Sequence, residues 1–585
     1  MSQKKNPNVV TDDDRVKLSD LWKIEDYWAI WLGFALLIVG YFLFIANAPM
    51  EKFAQEIDKA NQTIAAASQK ANFKTIEYYE AQDAKKKLRS RESKEGKAIA
   101  EFLTTPARWK DNPLDAFYTS EKGAKVANDK ARSKAIEAKS KLDNTLDVAA
   151  AAQKAAEGAE YKDAGLNAEA EAKIADWRKA ADASSKAKTA ATVTASNIFP
   201  SLAGLMLACI FFFGIGVIFM GGNFFKFAIG FIGVFIVAVI AFMMGSQNDM
   251  RTYGIGVEVW SIIIGMLIAN TVGTPKFIMP AVQTEYYIKT GLVLLGAEIL
   301  LDKIVAIGTP GVFVAWVVTP IVLVCTYIFG QKVLKMPSKT LNIVICADMS
   351  VCGTSAAIAT ASACRAKKEE LTLSIGISLV FTAIMMVTMP PFIKAVGMPP
   401  ILGGAWIGGT IDATGAVAAA GAALGPEGLY TAATVKMIQN ILIGVVAFCV
   451  ALYWTAKVEP SEKGMAGRKV GLGEIWNRFP KFVLGFLTVS IVASLISSGV
   501  GPDMSNAVVS EGLVRGIATP MRNWCFALAF VSIGLGTNFR ELGHYLKGGK
   551  PVILYVCGQG LNLLLTFAMA YLMFYVVFPE ITAKI

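Results

Sequence analysis

Two polar stretches interrupt otherwise apolar sequence, and they hold the residue types best suited to chemistry. The first, "CADMSVCGTSAAIATASAC" (residues 346–364), places Asp348, Ser350, Gly353, Thr354 and Ser355 where a membrane helix should be oily. The second, "GGTIDATGAVAAAG" (residues 408–421), again sets Gly, Thr and an Asp, Asp412, ahead of small residues. Non-helical backbone at membrane depth is tolerated only where protein buries it or an aqueous cavity meets it. A break frees the N–H groups that open the next half-helix, and those groups and the helix dipole attract anions. Gly353 lets the chain turn, Thr354 or Ser355 can cap, and the alanines that follow carry the helix on. Gly353, Thr354, Ser355, Gly409 and Thr410 are therefore candidate anion ligands. The plainer alternative for each patch is close helix packing with capping hydroxyls. Two patches, each with an Asp nearby, favour a ligand.

Other ionisable residues fall at membrane depth. Lys436 lies in "TAATVKMIQNILIG" and Glu298 interrupts "LVLLGAEILL". A charge there costs roughly 2.5–3.5 kcal/mol on insertion scales, so it usually faces a pathway or a partner. Lys436 would add positive charge beside an anion, or else snorkel to the interface. Glu298 could pair with Lys436 or hold a coupling ion. Asp348 and Asp412 are the other candidates for a coupling proton or Na⁺. Glu258 and Lys289, near helix ends, read as interfacial.

Catalytic signatures are missing. "GGNFFK" (Gly221 to Lys226) lacks phosphate-loop spacing, and no HExxH or GxSxG occurs. The eight cysteines lie in or beside apolar segments without a CxxC pair or a Cys/His cluster, which excludes disulfide and zinc readings. The one histidine, His544, sits in a late loop. The chain reads as a non-enzyme without cofactor or metal.

The elements that would position these residues are membrane helices. The chain is 54 % hydrophobic, and from Ile198 on it alternates apolar runs with short polar loops. Crossing a bilayer takes about 20 apolar residues, which predicts an all-α polytopic protein with about eleven spans. They are 27–48, 198–219, 223–245, 255–271, 286–304, 308–330, 371–396, 431–456, 482–500, 519–536 and 550–577. Two irregular stretches, 341–363 and 400–423, are re-entrant hairpins or discontinuous spanning helices. The first run, Tyr27 to Ala48, resembles a signal peptide, but its length, its Asp-rich leader and Pro49 favour a retained helix.

Residues 49–197 differ in kind. After the polar tail 1–26 and the first span, this Ala/Lys-rich insert shows a helical pattern broken by Pro106 and Pro113 near 104–118. Two long helices folding back on each other are predicted, with alanines along the seam and little globular core. Gly158 and Gly165 weaken the second helix.

The net charge of +11 does not point to nucleic acid, because membrane proteins gather Lys and Arg in cytoplasmic loops. Basic loops at 332–339, 365–368, 457–481 and 540–550 would all be cytoplasmic if 341–363 enters and leaves on that side. The N-terminus is then inside and the insert outside. "GLVLLGAEILLDKI" (Gly291 to Ile304) echoes "ALAFVSIGLGTNFREL" (Ala527 to Leu542), a hint of the inverted repeats of secondary transporters.

At "ICADMSVCGTSAAIATASACRAKKEE", "GAWIGGTIDATGAVAAAG" and "TAATVKMIQNILI" the chain resembles the YeiH-type sulfate exporter family of bacterial inner-membrane proteins. The likeness runs from about Phe231 to Phe574. The family's Cys-Gly-x-Ser-Ala element is matched by Cys352, Gly353, Ser355 and Ala356. Its Gly-Thr-Ser-Ile-His-Asp element is matched loosely at Gly408 to Ile411, with Asp412-Ala413 in place of His-Asp. The Thr-Ile-Val-Lys element is met in part at Thr434 to Lys436, and Gln439 stands where Arg is common. The resemblance implies an inverted-repeat, elevator-like carrier of a small sulfur oxyanion.

The expectation is thus a secondary transporter for sulfate, sulfite or a sulfonate, coupled to a proton or sodium ion. It would sit in the bacterial inner membrane as a possible homo-oligomer. An anion channel, or a sensor or assembly protein working through the insert, are the alternatives.

Overall fold

The computed structural model describes residues 18–252, 256–454, 458, 476, 479–542, 549–583 and 585. Most of the polar tail 1–26 and of the basic loop 457–481, together with His544, lies outside them. The chain forms two compact units. One comprises residues 1–35, 206–492 and 521–585, the other residues 36–205 and 493–520.

In chain order the helices begin with α1 (Glu25–Ala46). The insert follows as α2 (Met50–Lys70), α3 (Ile76–Lys86), α4 (Lys94–Phe102), α5 (Glu121–Gly158) and α6 (Ala164–Ala190). The predicted fold-back at 104–118 is not where the two long helices turn. They are α5 and α6, and the turn lies at 159–163, inside the stretch read as one helix. Glu160 and Tyr161 take positive φ there, and Asp163 Oδ1 accepts from the N–H groups of Gly165 and Leu166 to start α6. The prolines instead sit in a connection whose Tyr118–Thr119 pairs antiparallel with Ser196–Asn197. Before it, the chain breaks into three shorter helices rather than one. A small core of Phe73, Ile76, Ala149, Ala156, Ile174 and Trp177 joins α3 to the α5–α6 pair.

Eight helices among the described residues are long and apolar enough to cross a membrane. Besides α1 they are α7 (Phe199–Phe219), α8 (Phe224–Ser246), α11 (Leu301–Lys332), α14 (Lys368–Ala395), α17 (Pro426–Tyr453), α18 (Phe482–Val500) and α20 (Lys550–Val577). The remaining predicted spans are α9 (Val257–Thr271), α10 (Thr284–Leu295) and α19 (Thr519–Gly536). α9 and α10 are short, 15 and 12 residues. The predicted span 286–304 is interrupted: α10 ends at Leu295 and α11 starts at Leu301, so the break sits at Glu298 rather than at 305–307. One arm of the Gly291–Ile304 echo is therefore not a single helix.

Both irregular stretches are helical hairpins. The first pairs α12 (Lys339–Ala347), extended by a wider π turn at Asp348–Cys352, with α13 (Thr354–Cys364). Its two ends lie together. Ser338 and Thr340 donate to Glu370 at 2.5 and 2.7 Å, and Ile343 and Val344 pack with Ala361, Cys364 and Trp454. The second pairs α15 (Pro400–Thr410) with α16 (Thr414–Ala423). A methyl on Gly403 would lie 3.0 Å from Leu424 Cδ1, so these helices are antiparallel neighbours. Each hairpin is followed by a 28-residue helix, α14 or α17. Gly428 at the start of α17 lies by the base of the second hairpin, and Trp454 at its end by the base of the first. The two hairpin–helix units thus run in opposite directions. Gly404 and Gly408 let α15 press on α17; a Cβ on Gly408 would sit 2.6 Å from the Ala432 carbonyl oxygen.

Candidate functional site

The hairpin tips meet. Gly353 turns the first with φ +53° and ψ −130°, a conformation that favours glycine. A Cβ built on it would lie 3.4 Å from Asp412 Cβ, in the second tip, and 3.6 Å from Ser378 Oγ on α14. Gly353 and Asp412 therefore share one place in the interior, while Thr354 and Ser355, next along the chain, are exposed.

The two sides of each break have opposite polarity. The first half-helix ends in carbonyl groups, and buried side-chain donors hold them. Lys436 Nζ donates to Val351 O at 2.7 Å and to Gln439 Oε1 at 2.8 Å. Gln439 Nε2 lies 3.1 Å from Ser350 O, 3.2 Å from Gly409 O and 3.1 Å from Thr319 Oγ1, tying both tips to α11. Gln559 of α20 donates to Thr410 O at 2.9 Å. The second half-helices, α13 and α16, start with N–H groups that no helical turn precedes.

This corrects two sequence expectations. Gly409 and Thr410 close α15, so they present carbonyl oxygens rather than amides, and the Thr410 hydroxyl is returned to Trp406 O at 2.5 Å. The amide end of that tip begins at Thr414. Lys436 does not snorkel: it is 1 % exposed, and its ammonium is aimed at carbonyl oxygens. Thr354 and Ser355 open α13, but the cap position is Gly353 and no hydroxyl caps the helix as expected.

A cavity of about 210 Å³ reaches these amide ends. Cys352, Ser355, Thr414 and Asn440 line it, as do Asp26, Glu285, Lys289 and the segment Phe479–Phe482. Asn440 Nδ2 donates to Thr414 Oγ1 at 3.1 Å. Lys289 is not interfacial in the sense expected, because its nearly buried ammonium pairs with Glu25, with Asp26 at 2.8 Å and with Glu285 at 3.6 Å.

Neither Asp348 nor Asp412 lines this cavity. Asp348 Oδ2 accepts from Ser374 Oγ at 2.6 Å. Asp412 Oδ2 accepts from Ser378 Oγ at 3.1 Å and from the Tyr555 hydroxyl. Both residues are buried, and the Oδ1 atom of each lacks a protein partner. A bare carboxylate oxygen in such a place calls for a proton or a cation. Among the described residues no group of three or more His, Cys, Asp or Glu could hold a metal ion. Glu298 stands apart from the tips: it pairs with Arg522 at 2.7 Å and accepts from Tyr430 at 3.3 Å, instead of meeting Lys436.

Ser374, Ser378, Thr414, Asn440, Tyr555 and Gln559 were not singled out from sequence. Ser374 and Ser378 had a signal, since hydroxyls four apart share a helix face.

The family described as conserved hypothetical protein 698 matches residues 229–555. Two UPF0324 membrane proteins of Nitratidesulfovibrio vulgaris are 64 % and 65 % identical over 99 % of both chains. A UPF0324 membrane protein of Rhodopirellula baltica is 60 % identical over 60 % of this chain and 63 % of its own. No solved structure matches the chain. With near-full-length identity to such proteins, the chain belongs to the UPF0324 membrane protein family, the YeiH-type group, and is a multi-pass membrane protein.

Proposed function

We propose that the protein is a secondary active transporter of a small inorganic or organic oxyanion of the sulfate, sulfite or sulfonate class, working by alternating access. The observation that carries this reading is the meeting of two hairpin tips whose amide ends, at Ser355 and Thr414, line one cavity. Asp348 and Asp412 hold the coupling proton or sodium ion, with Ser374 and Ser378 as hydroxyl partners. Lys436, Gln439 and Gln559 neutralise the carbonyl ends, so the tips stay favourable to negative charge. Glu298 belongs to an ion pair away from this centre.

The inner membrane is the proposed location, with the N-terminus cytoplasmic and the insert outside. In support, both ends of the first hairpin and the end of α17 lie together, which gathers the basic segments 332–339 and 365–368 on one side.

The test is uptake of radiolabelled sulfate and sulfite into liposomes holding the full chain. Saturable flux that follows an imposed proton or sodium gradient supports a carrier, and flux indifferent to both would point to a channel. Unchanged flux in Ser355→Ala and Thr414→Val would remove the site assignment.

A further inference from the structure

The charge around the cavity narrows the solute, on the reading that the cavity is the transport site. No ammonium group named at the cavity or the tips is left facing a bare anion. Lys436 is turned to Val351 O and Gln439. Lys289 is shared by Glu25, Asp26 and Glu285. Lys481 donates to the backbone oxygens of Trp476 and Phe479, and it is Lys481 N–H, not its ammonium, that meets Asp26, at 2.7 Å. Among the described residues at this end, three carboxylates, Glu25, Asp26 and Glu285, face two ammonium groups, Lys289 and Lys481. An inorganic dianion would meet surplus negative charge before it reached the amide ends of α13 and α16.

The inner end makes a further demand. Asn440 is 2 % exposed, lines the cavity and has an Oδ1 atom without a protein partner. That oxygen needs a donor, which a fully ionised sulfate or alkylsulfonate lacks. The volume, about 210 Å³, lies below the range of drug-sized sites. It suits a solute of few heavy atoms that is longer than an inorganic ion.

We propose that the transported solute is a small zwitterion, an ionised acid group joined by a short chain to a protonated amine. The acid group sits on the amide ends at Ser355 and Thr414. The amine donates to Asn440 Oδ1 or reaches the carboxylates of Asp26 and Glu285, where it restores charge balance.

The experiment compares three labelled probes in liposomes carrying the full chain: 2-aminoethanesulfonate, ethanesulfonate and inorganic sulfate. A parallel arm with β-alanine asks whether the acid group is a sulfonate or a carboxylate. Flux of an amino compound at least tenfold above ethanesulfonate and sulfate is expected. Glu285→Gln should collapse that ratio and Glu285→Asp should keep it, which a merely structural role would not do. Equal or greater flux of sulfate or ethanesulfonate, or a ratio untouched by Glu285→Gln, overturns the zwitterion and leaves an oxyanion carrier standing. If none of the probes moves in a correctly folded sample, the transport reading itself falls.

Discussion

Gln439 is the side chain on which the meeting of the tips most depends, and replacing it by leucine tests that role. Its amide has two donors and reaches Ser350 O, Gly409 O and Thr319 Oγ1, while its oxygen accepts from Lys436. Leucine fills a similar volume but donates nothing. Losing two donated bonds at about 0.5–1.5 kcal/mol each, and leaving carbonyl oxygens buried without that partner, sums to about 2–4 kcal/mol. Lys436 also keeps only one of its two acceptors. The variant should unfold at a lower temperature in detergent, and amide hydrogen exchange should rise at residues 348–357 and 409–416 more than elsewhere. Gln439→Glu should do the same despite keeping an acceptor for Lys436, because it cannot donate to the carbonyl oxygens. Unchanged melting together with unchanged exchange at both tips would refute the cross-tie.

Three other outcomes follow from the geometry. Arg522→Met removes the cation paired with Glu298, whose side chain is 4 % exposed, and should cost about 3–5 kcal/mol in denaturation experiments; adding Glu298→Gln should recover most of it, and failure to recover would show that the pair is not the cause. Asp412→Asn should reduce gradient-driven solute accumulation to the level of empty liposomes, whereas wild-type accumulation would contradict its place in coupling. In the insert, burial raises the Glu77 carboxyl, but hydrogen bonds from its own backbone N–H, the Gln153 amide and the Thr75 hydroxyl outweigh that and hold it below its usual value. Its stabilising contribution is then present above the unfolded carboxylate value and lost as pH falls through the native one. Protection factors across Ile76–Lys86, taken against the intrinsic exchange rate at each pH, should fall on acidification, and Glu77→Gln should flatten that dependence; an equal slope in the variant would contradict it.

The two breaks are legible because Gly, Ser, Thr and Asp are conspicuous in oily sequence; the basic flanks of the first favour a hairpin, and counting the spans on from it makes the second a hairpin too. Their internal polarity was harder to read. A run such as "GGTIDATG" marks an interruption but not which residues end one helix and which begin the next, so Gly409 and Thr410 read as amide donors although they present carbonyl oxygens. The break at Glu298 was hidden because "GAEILL" is apolar enough to continue a helix. In the insert, Pro106 and Pro113 drew attention away from Gly158 and Asp163, where the chain reverses. Tyr555, Asn440 and Gln559 gave no sequence signal, since a polar residue in a membrane helix acquires a partner only once distant helices pack.

The most direct test of the central claim is an experimental density map of the full chain in lipid with a saturating small sulfonate. Density for the acid group within hydrogen-bonding distance of the first-turn amides of both Thr354–Cys364 and Thr414–Ala423 is the expected result. Tips that remain packed and dry, with the solute bound elsewhere or not at all, would contradict it.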